Sequence, residues 1–366
     1  MPAVHCRSHD AVSCRGCGLP PNGPREASTM RTRRVFGVLA LSTLAFLLGA
    51  RPVGAGARDL AGTVDLLLDL DVRPFAIAHR GFGENLGADP SRPIEDTVPA
   101  VRQGFMAGAS VVEVDVQLTR DGEVAVFHDD FLDDLTCLNR LTLNELQRRL
   151  PYVPSLQAVL NQARRVNQAS GPLRGILIVE LKAAAPLCDP DDSQEHAIVS
   201  AVTRVIRHMR MTDQVLLTSF SPALLYLARA EAPEIARILA VSGLQFLTKE
   251  QIEARLKMPV TLIHKQLDLG LPWAELGRIF RLPGYPSVGD LVTTATITGA
   301  RVVEADLFLL SFTGAALIGV LHDAGLKVFG FTANTDSEWA FLQSLDVDGI
   351  YTNDVPLGVR RQAPIP

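Results

Sequence analysis

The chain has 366 residues, 47% of them hydrophobic and 20% charged, with 35 Lys and Arg against 40 Asp and Glu. That length can bury one large core or two modest ones, and a single α/β barrel of about 250 to 300 residues fits it. Residues 1–57 hold seven basic and two acidic side chains, which leaves 28 basic against 38 acidic in the rest; so acidic a body argues against nucleic acid and against a polybasic membrane-docking surface, and suits a protein that gathers divalent cations among carboxylates.

In chain order, residues 1–29 are rich in Cys, Pro, Gly and Arg, carry no apolar periodicity, and read as a leader extension ahead of Met30. The pair Cys14 and Cys17 has metal-like spacing, but no second pair or histidine cluster completes a site there. Residues 30–57 read as a signal peptide: Arg31, Arg33 and Arg34, then a 16-residue apolar run from Val35 to Ala50, then small residues up to a cleavage site near Ala57. The run is too short to span a bilayer comfortably, so no stable span is expected after cleavage; an uncleaved anchor is the alternative. Arg33-Arg34 leaves twin-arginine and general export both open. The expected product is an exported, periplasmic or secreted domain over residues 58–366.

From Val72 onward short β-rich runs alternate with amphipathic helical stretches, which predicts an α/β fold with a parallel sheet, a TIM-type (β/α)8 barrel. Strands are predicted at Phe75–Ala78, Val111–Val116, Val124–Phe127, Ile176–Leu181, Val215–Ser219, Ile238–Val241, Val302–Ala305, Lys327–Thr332 and Gly349–Thr352. Nine is one too many for an eight-stranded barrel, and Ile238–Val241 or Val302–Ala305 is expected to be the peripheral one. Helices are predicted at Thr97–Ala107, Thr142–Leu150, Ser155–Asn167, Glu195–Met209 and Thr313–Ala324. Residues 243–290, with four prolines, are longer than a barrel connection needs and read as an inserted segment.

The strand ends carry the chemistry. His79 and Arg80 close the first predicted strand, where a barrel places reactive groups. Glu113 and Asp115 stand at i and i+2, so both face the barrel interior while the intervening valines face the helices. Two buried like charges need a partner, and a divalent cation with oxygen ligands is the simplest one. His128 follows the third strand; Glu180 and Lys182 share one face of the fourth, where the acid could complete the cation site and the ammonium could hold a phosphate oxygen. Any one of these alone has a structural reading as a cap or an ion pair, but polar groups recur at four successive strand ends.

The ordered set His79-Arg80-Gly81, Glu95-Asp96-Thr97, Glu113-x-Asp115, His128-Asp129, Glu180-x-Lys182, Ser219-Phe220-Ser221-Pro222, Gly330-Phe331-Thr332 and Asp348 to Asp354 resembles the glycerophosphodiester phosphodiesterase family over about residues 72–358. The resemblance implies a metal-dependent phosphoric diester hydrolase acting on small glycerophosphodiesters to give glycerol 3-phosphate and an alcohol. His79 and His128 would exchange protons, Arg80 and Lys182 would hold the phosphate, and Glu113, Asp115 and Glu180 would bind one cation, Ca²⁺ or Mg²⁺. Glu95 would support the site and Phe331 would form a wall for the glycerol. Asp96 and Phe331 stand where the family usually has Asn and Trp; the first is expected to add negative charge near the metal. A lysophospholipase D or sphingomyelinase D-like enzyme, with the 243–290 segment as an acyl groove, and a non-catalytic phosphodiester-binding barrel are the alternatives. Beyond the leader, Cys137 and Cys188 are the only cysteines; they fall in loops over neighbouring strands and are either one disulfide or two free thiols.

Overall fold

The computed structural model describes residues 63–70, 73–185, 187–248, 250, 251, 254 and 284–364. The leader, the expected signal peptide and most of the 243–290 segment lie outside the described residues.

Nine strands form one sheet: β1 (Phe75–Ala78), β2 (Val111–Leu118), β3 (Val124–Val126), β4 (Ile176–Leu181), β5 (Val215–Ser219), β6 (Ala236–Val241), β7 (Val302–Asp306), β8 (Lys327–Phe331) and β9 (Gly349–Thr352). Eight of them pair in parallel in the order β1-β9-β8-β7-β6-β5-β4-β2, and β1 pairs with β2 to close the barrel. The surplus strand is β3, which corrects the expectation that Ile238–Val241 or Val302–Ala305 would be peripheral; both belong to the barrel wall. β3 pairs antiparallel with the end of β2. Only residues 119–123 join the two, enough for a hairpin and too few for the crossover that a parallel neighbour requires.

Around the barrel stand α2 (Val98–Ala107), α4 (Leu156–Ser170), α5 (Glu195–His208), α6 (Pro222–Glu231), α7 (Val288–Thr298), α8 (Leu307–Asp323), α9 (Asp336–Ser344) and α10 (Val355–Arg361), with α3 (Leu143–Arg149) beside β3 and α1 (Thr63–Leu68) before β1. Thr97, Ser155, Ser221, Ser287, Asp306 and Asp354 each accept a backbone N–H from the first turn of the helix that follows, so the chain leaves most loops directly into a capped helix. Two expected boundaries shift. The helix expected at Thr313–Ala324 starts at Leu307, with a non-helical Gly314 inside it, and the inserted segment ends by 287, because Ser287 already caps α7.

The period of two sorts the barrel's side chains. Val112, Val114, Val116, Leu177, Val179, Val215 and Leu217 point outward into the layer between sheet and helices. Phe75, Ile77, Val111, Ile176, Ile178, Leu216, Ile238, Val302 and Phe329 point inward and fill the lower interior, with Val64, Leu67 and Leu68 of α1 packed beneath them. Gly349 is required there: a Cβ on it would come within 2.9 Å of Phe329 and 3.0 Å of Phe75. Above this apolar plug the same inward positions turn polar.

Cys137 and Cys188 form a disulfide with their Cα atoms 5.7 Å apart. It joins the segment after β3 to the segment after β4, and Asp130 reinforces the joint by accepting the Ala185 N–H at 3.2 Å. The bond closes a separation of 51 residues, so its reduction, or Cys188→Ser, is expected to lower the unfolding free energy by about 4 kcal/mol. Urea denaturation with and without reductant measures this, and coincident midpoints would remove the disulfide from any stabilising role.

Candidate active site

The polar layer begins where β1 ends. Arg80 and Gly81 both have left-handed backbone, φ 46° and 91°, and the turn brings the Arg80 N–H onto Glu113 Oε2 at 2.9 Å. A Cβ on Gly81 would lie 2.7 Å from that of Ala100, so only glycine allows α2 this close. The Arg80 guanidinium donates to Glu95 Oε1 at 2.9 Å and lies 3.5 Å from Asp115 Oδ2. Glu95 also accepts the Asn85 N–H at 2.6 Å. It therefore sits behind Arg80, fixing the cation and the 82–93 loop together, and is absent from the cavity wall.

Glu113 and Asp115 of β2 and Glu180 of β4 converge, with one carboxylate oxygen from each lying within 4.8 Å of the others. Lys182 bridges two of them, 2.9 Å from Asp115 and 2.7 Å from Glu180. Burial, and then the charges of Asp115, Asp96 and Glu180, push the Glu113 carboxyl well above the usual carboxylate range. Burial acts the same way on Asp115, but Lys182, His128 and Arg80 outweigh it and hold that group well below its usual value. Among the described residues, Glu113 Oε1 and Asp115 Oδ2 are buried without a hydrogen-bond donor. Converging hard oxygen ligands and buried acceptor atoms without donors are what a divalent-cation site requires, and the triad could hold such an ion.

Asp96 Oδ1 accepts the Asp115 N–H at 3.1 Å, and burial together with the Asp115 charge pushes its carboxyl well up. Its left-handed backbone, φ 57°, is one that Asp and Asn tolerate.

The two histidines occupy unlike surroundings. His79 lines the cavity; its Nδ1 lies 2.7 Å from Asn353 Oδ1 and its Nε2 lies 3.9 Å from Glu113. Burial and the Arg80 charge lower it to about 4. His128 is buried, with Nδ1 2.8 Å from Asp129. Burial and Lys182 oppose its protonation, yet Asp115 and Asp129 prevail and raise it to about 9. His128 belongs to the segment following the β2–β3 hairpin rather than to a barrel strand, and is absent from the cavity wall that His79 lines.

A cavity of about 220 Å³ opens at the C-terminal ends of the strands. His79, Arg80, Glu113, Glu180 and Lys182 form one wall. Phe220, Phe331 and Tyr351 form another, their rings meeting edge to face with centroids 6.0 Å and 6.2 Å apart along the row. Three participants had no role in the sequence reading. Asn353 lay in a recognised motif, and an amide two residues past a strand's last inward side chain was its only signal. Tyr351 lay in the same motif with no role assigned to it, and Glu304 looked like an isolated polar position in an apolar strand.

A protein-family comparison matches residues 79–357 to the glycerophosphoryl diester phosphodiesterase family. A glycerophosphodiester phosphodiesterase of Bacillus altitudinis is 31% identical over 291 residues, covering 75% of this chain and 93% of that protein. Among solved structures, a glycerophosphodiester phosphodiesterase from Parabacteroides distasonis superposes with TM-score 0.55 at 15% identity, covering 79% of this chain and 96% of its own. An Oleispira antarctica phosphodiesterase, solved with the product sn-glycerol-3-phosphate, superposes with TM-score 0.53 at 22% identity, covering 79% and 96%.

Proposed function

The chain belongs to the glycerophosphoryl diester phosphodiesterase family, and from that premise we propose that it is a cation-dependent enzyme hydrolysing glycerophosphodiesters to glycerol 3-phosphate and an alcohol, with His79 as base and His128 as acid. The observation that carries the reading is the convergence of Glu113, Asp115 and Glu180 within 4.8 Å beside His79 and Arg80.

A divalent cation, Ca²⁺ or Mg²⁺, bound by the triad would mask phosphodiester charge and stabilise the charge that builds up on phosphorus-bound oxygen. The protein's own groups do the rest. Arg80, held by Glu95, presents its guanidinium to the phosphate from one side, and Lys182 shares its ammonium between the triad and a phosphate oxygen. Asn353 Oδ1 accepts from His79 Nδ1, which leaves Nε2 as the basic nitrogen on the cavity side. A histidine neutral down to about 4 is ready to take the nucleophile's proton at neutral pH. The nucleophile is either water or the glycerol 2-hydroxyl; the latter would give a cyclic phosphate that water then opens. His128, oriented by Asp129 and protonated up to about 9, is matched to returning a proton to the departing alkoxide.

The sign of these shifts gives a direct test. In chelator-treated protein, imidazole titration by NMR is expected to find His79 neutral and His128 protonated at pH 7, His79 gaining its proton only towards pH 4 and His128 losing its proton only towards pH 9. The opposite assignment would exchange the two roles. The activity itself is tested by release of glycerol 3-phosphate from glycerophosphocholine with and without chelator; no release in the presence of either cation would sink the enzyme reading. Export to an oxidising compartment completes the proposal, supported by the Cys137–Cys188 bond and by the signal-like run at residues 30–57.

A further inference from the structure

The upper barrel interior holds a buried carboxyl, Glu304, that the proposed chemistry does not use. Along β7, Val302, Glu304 and Asp306 alternate inward; Val302 belongs to the apolar plug, whereas Glu304 stands one layer higher, where Tyr351 of β9 also faces the cavity. Glu304 is only 4% exposed yet lines the cavity. Burying such a group costs several kcal/mol unless it is satisfied. Its donors come from two other strands: Thr218 Oγ1 of β5 donates to Oε1 at 2.7 Å, and the Tyr351 hydroxyl donates to Oε2. Each oxygen thus has one protein donor and one lone pair remaining. No Lys or Arg nitrogen lies within 4.0 Å of it among the described residues; Arg80 pairs with Glu95 and Asp115, and Lys182 with Asp115 and Glu180.

We infer that Glu304, fixed by Thr218 and Tyr351, accepts hydrogen bonds from the glycerol hydroxyls of the substrate and thereby determines its specificity for hydroxyl-bearing phosphodiesters. The inference rests on the phosphodiesterase reading above. A phosphate is drawn to Arg80 and Lys182 and repelled by Glu304, so cations and carboxyl sort the phosphate of a glycerol phosphate from its hydroxyls. The adjoining surface is aromatic, from Phe220, Phe331 and the Tyr351 ring, and gives the carbon chain an apolar wall beside the carboxyl. Burial pushes Glu304 up to about 7 against its two hydrogen bonds, so near neutrality it is shared between a form that only accepts and one that also donates, and a vicinal diol matches both. Orientation of the reacting hydroxyl by a fixed acceptor is also what proton removal by His79 would need.

The test is calorimetric binding to the cation-loaded protein of sn-glycerol 3-phosphate, of n-propyl phosphate, which has the same phosphate and no hydroxyls, and of phosphocholine, which has an ammonium and no hydroxyls. The parent is expected to bind glycerol 3-phosphate about tenfold to a hundredfold more tightly than n-propyl phosphate. In Glu304→Gln, and in Tyr351→Phe as an independent variant that removes one of the two fixing bonds, that ratio is expected to fall by about tenfold. An unchanged ratio in Glu304→Gln would overturn the inference, as would a loss confined to phosphocholine, which would place the carboxyl against a cationic headgroup. Because binding is read without turnover, selective binding by a parent that fails to hydrolyse glycerophosphocholine would sink the enzyme reading and leave the assignment of Glu304 standing.

Discussion

Replacing Glu113 with alanine is expected to reduce turnover by on the order of a thousandfold or more and to abolish its dependence on added cation. Glu113 supplies one of the three carboxylates that converge on the site, and among the described residues its Oε1 is buried without a donor. Its carboxyl is pushed well up by burial and by Asp115, Asp96 and Glu180; without a cation the folded protein therefore favours the protonated form, and the ionised form is one the unliganded site disfavours. A cation reverses that preference, so cation affinity should fall as pH falls. Glu113→Gln, which retains an acceptor for the Arg80 N–H, should melt no lower than the parent in chelator. Added Ca²⁺ or Mg²⁺ should then raise the melting temperature of the parent and leave the variant unmoved. Glu113→Ala turning over at the parent's cation-saturated rate, or an equal thermal shift in Glu113→Gln, would take the triad out of cation binding.

His128→Ala is expected to cost about 10²- to 10⁴-fold in turnover of glycerophosphocholine, the range a positioned general acid contributes. The dependence on leaving group is the sharper readout. An alkoxide must be protonated as it departs, whereas p-nitrophenolate is stable as an anion, so the loss should largely vanish for a p-nitrophenyl phosphodiester. His79→Ala should lose activity on both substrates, because the nucleophile still has a proton to give up. His128 is buried and near Asp115, so melting curves and metal affinity of the variant separate a lost proton donor from a disturbed site. Equal losses on the two substrates would mean that His128 does not serve the leaving group.

How far the sequence reached can be judged at particular elements. The two carboxylates of β2 were legible because a strand's period is fixed at two: once Val112, Val114 and Val116 face the helices, Glu113 and Asp115 have only the interior left. The same rule covers Glu180 and Lys182. The surplus strand was misassigned because apolar β-branched runs look alike whichever neighbour they pair with; the short 119–123 connection held the answer, since a parallel partner needs a crossover. The helices Pro222–Glu231, Asp336–Ser344 and Val355–Arg361 were missed although Ser221-Pro222, Thr335 with Glu338, and Asp354 are recognisable starts. Their short apolar faces gave too little periodicity, and the barrel supplies the packing that local preference does not.

By itself, then, the sequence determined the barrel class and the order of the strand-end motifs; the strand period put forward Glu113, Asp115, Glu180 and Lys182 as one inward-facing set, and the family resemblance supplied the roles expected of His79, His128 and Arg80. The tertiary structure alone decided which histidine is held neutral and which charged, because that depends on burial and on charges from other strands: Arg80 beside His79, Asp115 beside His128. It alone resolved the pairing of Cys137 with Cys188, a question of distance between two loops 51 residues apart. It also decided that Thr218, Glu304 and Tyr351, none of which had a role in the sequence reading, form one hydrogen-bonded group beside the cavity. Barrel closure brings β5, β7 and β9 around a common axis, and no periodicity within a single strand encodes which residues meet across it.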